Sequence, residues 1–486
     1  MTLAERGGLP LLLSLGAGAS GILCFAPFGL FWLAPLVWAL LFKLLQDARS
    51  PADAGQRGLA FGLGFFLSGV SWVYVSLSTF GGMPWWLAGP ATLGFCTVAA
   101  LYPAVAGWAY KRWQPATFWQ QALWFGGLIA AVDVARAHIF TGFPWLSLGY
   151  SQSPPSPLAG FAPLLGVFGL SLLVALAAAS LSRWKHGLLV LGVLLASGQG
   201  LRQIAWTEAI GNPVSVALIQ GNIPQEMKFQ PESFLRTLAL YRDLIAAHPA
   251  DLTLLPETAL PAFIDQLPHD YLDELRALAQ RQGGDLIIGT LTGDGTNYFN
   301  SAVSLGSSAM QVYSKQHLVP FGEFIPPGFA WIMAQANIPM SSFSAGAAVQ
   351  PPLQLGTQAV AVNICYEDVF GHEIIRALPH AGLLANLSNT AWFGHSLAQD
   401  QHLQIARLRA LETGRPMLRA TNTGMTAIID AQGEVVSQLA PFETGVLRGE
   451  IRAHQGSTPY VRWGDWPAIA LIALCLLVSR FGRRRR

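Results

Sequence analysis

A chain of 486 residues has room for two or three domains, and an apolar fraction of 52% with only 12% charged residues excludes a disordered, fibrous or ordinary soluble protein. Mean hydropathy of +0.41 points to a membrane, and a net charge of +2, from 29 Lys and Arg against 27 Asp and Glu, argues against nucleic acid and for lipid or small-molecule partners. The four cysteines, Cys24, Cys96, Cys365 and Cys475, lie far apart with no metal-ligand spacing, so neither a disulfide framework nor a metal or other cofactor is expected.

Apolar runs of the length needed to cross about 30 Å of hydrocarbon occur at roughly 9–25, 27–45, 58–79, 85–109, 118–138, 158–181 and 187–204, and again at 465–481. They predict about eight transmembrane helices, seven within 1–205 and the eighth within 464–482. Lys and Arg near helix ends stay cytoplasmic. Arg6, the Lys43/Arg49/Arg57 group, Lys111 with Arg112, Arg183 with Lys185, and the Arg480–Arg486 tail fall on one side, whereas FAPFGLF and STFGGMPW carry no basic residue. Both termini are therefore expected inside and the large intervening stretch outside, in a bacterium on the periplasmic side of the inner membrane. The first run lacks a removable signal's charged region and cleavage site and is expected to remain as an anchor. Asp133 and Arg136, three apart in the fifth run, read either as a polar site for a lipid headgroup or as a mutual ion pair.

Residues 213–454 change character, with short β-rich runs alternating with helical ones. VSVALIQ (214–220), LTLLPE (252–257), DLIIGT (285–290), NSAVSL (300–305), AVAVNIC (359–365), LLANLS (383–388) and MTAIID (425–430) read as strands; Pro231–His248, Asp270–Gln282 and Leu397–Thr413 read as helices. The alternation predicts an α/β layered domain. Two strands end on residues with chemistry, Glu257 and Cys365, where an α/β sheet fixes the backbone and leaves side chains exposed to a ligand. A lone outward-facing thiol is either a nucleophile or a small core hydrophobe.

The neighbourhoods LPETALP around Glu257, YSKQHLVPFGEFIP around Lys315 and Glu323, and NICYEDVFG around Cys365 and Glu367 resemble the carbon–nitrogen hydrolase (nitrilase) superfamily, as do QGN at 220–222, YFNS at 298–301 and NLSNTAWFG at 386–394. The resemblance implies an αββα sandwich and a Glu257–Lys315–Cys365 triad. With eight spans around such a domain, the whole chain resembles the apolipoprotein N-acyltransferase family. Phe229 in KFQP stands where some members have Trp. What the resemblance implies is a ping-pong transfer: Cys365 takes an acyl chain from a phosphatidylethanolamine-like phospholipid as a thioester and passes it to the N-terminal amine of a diacylglyceryl apolipoprotein. A membrane-embedded monomer is expected.

Residue chemistry fits these roles independently. A thiol needs a base and a nearby cation to act as a nucleophile; Glu257 can carry the proton, and Lys315 can meet the developing oxyanion. The resemblance further implies supporting roles for Glu323 and Glu367, and Tyr366, through its backbone N–H, and Asn300 are expected to support the site as well. The apolar stretch 320–343 is expected to form a lid or membrane-dipping arm bearing Phe324, Phe329, Trp331, Ile332 and Met333, with Trp392 and Phe393 on a second loop near the site. His317 and His372 flank the motifs without metal spacing and read as structural. Two rivals remain: a membrane-tethered amidase or nitrilase, and a lipid or solute transporter with an external binding domain, the latter disfavoured by the scarcity of polar groups in the spans.

Overall fold

The computed structural model of the chain describes residues 8–228, 230–281, 283–325 and 342–481. Helices Gly8–Ser20, Ala34–Gln46, Pro51–Gly69, Trp85–Arg112, Phe118–His138, Ala162–Leu181, Trp184–Leu201 and Trp466–Phe481 overlap the eight apolar stretches. By length and composition, fewer qualify as spans. Trp85–Arg112 and Pro157–Leu181 are long and apolar enough to cross a membrane, and Pro51–Gly69 with Val73–Phe80, bent by 60°, makes a third if the two are one span. Gly8–Cys24, Phe31–Gln46 and Trp466–Arg480 are apolar but shorter, so among the described residues two or three helices meet that measure of length and composition. The helices pack closely where side chains are smallest: Gly58 and Gly62 lie against Pro103 and Ala100, Gly18 against Phe61 and Gly64 against Leu15, positions at which a Cβ would meet the facing backbone or side chain.

Asp133 and Arg136 form the ion pair rather than an open polar site. They lie 3.0 Å apart and buried. Asp133 also accepts from the Leu148 N–H and the Ser171 hydroxyl, each at 2.8 Å, while Arg136 donates to the carbonyls of Phe143 and Trp145. The pair fastens the 143–148 loop to its helix.

Two six-stranded sheets stack face to face. The first has the order β12-β1-β2-β3-β4-β5, from Gly445–Gly456 (β12), Thr207–Gln220 (β1), Leu252–Leu254 (β2), Asp285–Gly293 (β3), Tyr298–Gly306 (β4) and Val312–Ser314 (β5). The second has the order β11-β10-β9-β8-β7-β6, from Val435–Gln438 (β11), Ala427–Ile429 (β10), Met417–Thr421 (β9), Leu383–Ser388 (β8), Gln358–Ile364 (β7) and Leu353–Leu355 (β6). Period-2 alternation sends side chains to both faces. Val216, Leu218, Leu383, Ala385 and Leu387 point into the shared core, whereas Ile219 packs outward under helices Pro231–Ala247 and His269–Gln280, and Leu384 outward under helix Ala398–Thr413. The result is the expected four-layer αββα sandwich. All seven expected strands are present; β5, β6, β9, β11 and β12 are additional. β2 stops at Leu254, shorter than expected, because Pro256 has no N–H to continue the ladder after Leu255 N donates to the Ile287 carbonyl.

Helix Ala398–Thr413 joins the sandwich to the helical part. One side covers β8 and β9; the other meets helix Ala162–Leu181 and the loops beside it, and nearly every residue is buried, polar ones included. Gln401 accepts from the indoles of Trp72 (3.3 Å) and Trp145 (2.7 Å) and donates to the Gly69 carbonyl at 3.1 Å. Gln404 accepts from the Ala26 N–H, and Arg409 donates to the Tyr150 hydroxyl while pairing with Glu412 at 2.8 Å. Burying polar groups costs free energy unless they are paired, and these are paired largely across the junction. The junction is thus specific in geometry as well as apolar.

Candidate active site

β2 and β7 deliver the two principal groups to the same end of the sandwich. β7 ends at Ile364, and Cys365 begins a tight 3-10 turn, Cys365–Val369, with φ +52°. That left-handed conformation is rare for a residue with a Cβ and marks a site where surrounding structure holds the backbone. Glu367 does much of the holding. Its carboxylate accepts from the N–H groups of Ile364 (2.6 Å), Gln316 (2.7 Å) and His317 (3.2 Å) and from the Tyr313 hydroxyl (3.0 Å). It thereby ties the Cys365 turn to the segment that follows Lys315. Burial pushes the Glu367 carboxyl up to about 7 against those backbone N–H bonds.

Beneath the turn lies a second network. Asp368 pairs with His402 at 2.7 Å and Arg419 at 3.1 Å; Arg419 donates to Asn386, whose amide reaches the Cys365 carbonyl at 3.2 Å. All four side chains are buried.

Glu257 follows β2 and is buried, with each oxygen engaged. Oε1 accepts from Asn300 Nδ2 at 2.8 Å and from Lys315 Nζ at 3.3 Å; Oε2 accepts from the Asn389 N–H at 2.8 Å. Lys315, only 1% exposed, lies 2.9 Å from Glu323 as well, so its ammonium is shared by two carboxylates. Glu323 also accepts from Asn300 (2.9 Å) and the Val319 N–H (2.8 Å). Asn300 therefore bridges both acids.

Burial would raise the Glu257 carboxyl, but Lys315 and then Lys228 outweigh it and hold the group below the usual carboxylate range. Burial would also lower Lys315, yet Glu257 and Glu323 raise it above the ordinary lysine range. The Cys365 thiol is pushed up to about 12 by burial and by the Glu257 charge, while Lys315 and the Ser388 hydroxyl pull the other way. That hydroxyl is buried and makes no hydrogen bond of normal geometry among the described residues. At rest the site holds a thiol, an ionised carboxylate and an ammonium, so the proton leaves sulfur only as a bond to sulfur forms.

The remaining expected residues are placed as follows. Tyr366 turns its ring toward the helical part: its hydroxyl donates to the Gly142 carbonyl at 3.1 Å and its ring stacks on Trp145 at 6.4 Å. Phe393 packs on Trp72 (4.5 Å) and Trp145 (6.0 Å), and Trp392 on Phe80 (6.0 Å), so both rings dock the sandwich against the helices. Phe324 is half-buried, and the Phe321 N–H donates to its carbonyl. The chain returns beside it, since the Phe343 N–H donates to the Glu323 carbonyl at 2.9 Å. Phe329, Trp331, Ile332 and Met333, like Phe229, lie outside the described residues. His317 stacks on Phe370 at 3.6 Å and reaches Glu373 at 3.2 Å; His372 stacks on His138 at 5.2 Å. Among the described residues no cluster of metal-ligating side chains occurs.

Sequence reasoning missed Lys228, whose Nζ donates to the Glu257 carbonyl at 3.0 Å, as well as Ser388, Asn389 and the Asp368–His402–Arg419 network. Lys228, Asp368, Ser388 and Asn389 lie inside the KFQP, NICYEDVFG and NLSNTAWFG motifs, the only signal for them, while His402 and Arg419 lie outside every motif.

Two family models match the chain: the apolipoprotein N-acyltransferase N-terminal domain over residues 17–180 and carbon-nitrogen hydrolase over 215–460. The apolipoprotein N-acyltransferase of Nitrosomonas europaea is 47% identical over 99% of both chains, and that of Chromobacterium violaceum is 47% identical over 97% of this chain and 93% of its own. A carbon-nitrogen hydrolase from Helicobacter pylori G27 is 18% identical, with a TM-score of 0.38 over 56% of this chain and 95% of its own. At that score the likeness carries no argument. On sequence identity along almost its whole length, the chain belongs to the apolipoprotein N-acyltransferase family.

Proposed function

We infer that this protein transfers an acyl chain from a phospholipid to the N-terminal amine of S-diacylglyceryl cysteine on lipoproteins. The observation that carries the reading is a buried thiol under the charges of Glu257 and Lys315, in a sandwich docked onto apolar helices through Gln401, Tyr366 and Phe393. Cys365 Sγ attacks the ester carbonyl as its proton passes to Glu257. The oxyanion is met by the Lys315 ammonium and the Tyr366 backbone N–H. Collapse of the tetrahedral intermediate breaks the ester C–O bond, Glu257 returns the proton to the departing oxygen, and a lysophospholipid leaves a thioester on Cys365. The lipoprotein amine then attacks the thioester carbonyl, loses its proton to Glu257, and leaves as an amide while the sulfur recovers the proton. Every proton removed in one half is returned in the same half, so no cofactor is called for.

Water competes with the amine, and a site against the bilayer limits it. We place the eight apolar stretches across a bacterial inner membrane, with both termini cytoplasmic, the 213–454 domain on the periplasmic side, and the 320–343 segment as a lid whose ends are drawn together at Glu323. Phosphatidylethanolamine is the proposed donor, and the enzyme is proposed to act as a monomer. The test is to incubate the purified protein with phospholipid vesicles and weigh it intact. A fatty-acyl mass on Cys365 that disappears on adding a diacylglyceryl peptide is expected; release of free fatty acid or ammonia with no adduct would overturn the reading.

A further inference from the structure

Among the described residues the reaction above leaves two buried cations near Cys365 unused, Arg419, which is paired with Asp368, and Lys228. Lys228 is 3% exposed, and its Nζ donates to the main-chain oxygen of Glu257 at 3.0 Å. Among the described residues, no carboxylate pairs with it. Burying an ammonium without a counter-ion is costly, and the residue could avoid that cost by turning its flexible stem to solvent. The fold instead encloses it.

Charge balance supplies the reason. Glu257 and Glu323 bring two negative charges to one on Lys315, an excess of one negative charge; Glu367, whose carboxyl lies at about 7, does not offset it, and Asp368 is balanced by Arg419. Moving the thiol proton to Glu257 does not remove that excess, because a thiolate or oxyanion replaces the carboxylate charge. A second ammonium offsets that negative charge in the resting and reacting states alike. The titratable groups that face Lys228 are Glu257 at the end of β2 and Cys365 at the end of β7, and both favour its charged form; Lys315 and Glu323 lie beyond Glu257. We propose that Lys228 is a second cation of the acyl-transfer site, a positioning residue that grips the Glu257 main chain and supplies the positive charge that lets Cys365 ionise. The inference rests on the acyl-transfer reading for its consequence, though thiol ionisation can be read without it.

Burial lowers the Lys228 ammonium to about 8, while Glu257 and Cys365 oppose the shift. As pH rises through that value the charge is lost, and the thiol, already at about 12, becomes harder to ionise. Thioester formation should therefore fall on the alkaline side well before the thiol itself titrates. Lys228→Met removes the charge at every pH, and Lys228→Arg keeps a cation that does not titrate.

The experiment alkylates the membrane-reconstituted protein with iodoacetamide, following the Cys365 peptide by mass, and separately measures thioester formation from phospholipid vesicles across pH. Lys228→Met is expected to slow Cys365 alkylation at neutral pH by roughly tenfold to a hundredfold. Lys228→Arg is expected to restore it and to move the alkaline fall of thioester formation upward, which a purely structural role would not do. Wild-type alkylation in Lys228→Met, an unmoved alkaline fall in Lys228→Arg, or Lys228→Arg as slow as Lys228→Met would each overturn the assignment. If Lys228→Met does not fold, the Lys228→Arg profile decides. If the wild type alkylates normally yet no phospholipid leaves an acyl mass, the acyl-transfer reading fails and the alkylation rates still judge Lys228.

Discussion

Cys365 and Glu257 depend on each other in a way that makes the obvious substitutions informative. Because the thiol lies at about 12 and Glu257 below the usual carboxylate range, proton transfer before attack is steeply uphill, and the carboxylate must receive the proton as the carbon–sulfur bond forms. Glu257→Gln keeps the shape but cannot accept that proton, and it should lower single-turnover thioester formation by about 10²–10⁴-fold while leaving the melting temperature close to the wild type. Cys365→Ala should abolish the acyl mass outright. The same charges set the acid limb. Lys315 and Lys228 hold Glu257 ionised below its ordinary value, so wild-type activity should persist as pH falls through the normal carboxylate range and be lost only beneath it. Lys315→Met removes the largest stabiliser of the carboxylate, so the base protonates earlier as pH falls and the acid limb of the residual activity should shift upward. A residual rate with an unmoved acid limb would show that Lys315 serves the oxyanion alone. These residues were legible in the sequence because each sits in a motif whose neighbours are themselves distinctive. Lys228 was not, because its partner is a main-chain oxygen 29 positions away in the chain, and residue type gives no sign of such a contact.

At the scale of elements, the turn after β7 shows how the left-handed backbone at Cys365 is kept in place. Four donors converge on Glu367, and three are backbone N–H groups that no other residue satisfies as simply. Glu367→Gln puts an amide donor against donors and leaves buried N–H groups unpaired, at about 1–3 kcal/mol each. The expected outcome is a lower melting temperature and a fall in thioester formation, because the Cys365 turn and the segment after Lys315 lose their common tie. Glu367→Asp, too short to reach both, should fall between the two. Strand reading was uneven for physical reasons. β1, β3 and β7 are apolar enough to stand out, whereas β12 alternates buried Leu447, Ile451 and Ala453 with exposed Arg448, Glu450 and Arg452. Its charged half masked a clear period of two. β9 carries Arg419, a residue that only the Asp368 and Asn386 contacts make tolerable inside a sheet. Helix Ala398–Thr413 was legible as a helix, but not as one buried all round, since its polar side chains resemble a solvated face until the helical part covers them.

Across the whole molecule, catalysis next to lipid requires that the sandwich hold one orientation on its helices, and Gln401 is where that requirement is concentrated. Its carbonyl receives two indole N–H groups, from Trp72 and Trp145, and its amide reaches the Gly69 carbonyl, so one side chain joins the break after helix Pro51–Gly69, the 143–148 loop and the catalytic domain. Trp145 also stacks on Tyr366, the residue after the nucleophile, and packs against Phe393. Movement at the junction therefore reaches Cys365 through one ring. Gln401→Leu fills the space but strands three buried polar groups, each at about 1–3 kcal/mol. It should lower the melting temperature of the detergent-solubilised protein and slow thioester formation although no catalytic side chain is altered. Gln401→Glu keeps the acceptor for both indoles, and the protonated carboxyl that burial favours can still donate to the Gly69 carbonyl, so it should be hurt less. The ordering of the two variants carries the argument: apolar contact alone would favour leucine, whereas a hydrogen-bonded joint favours glutamate.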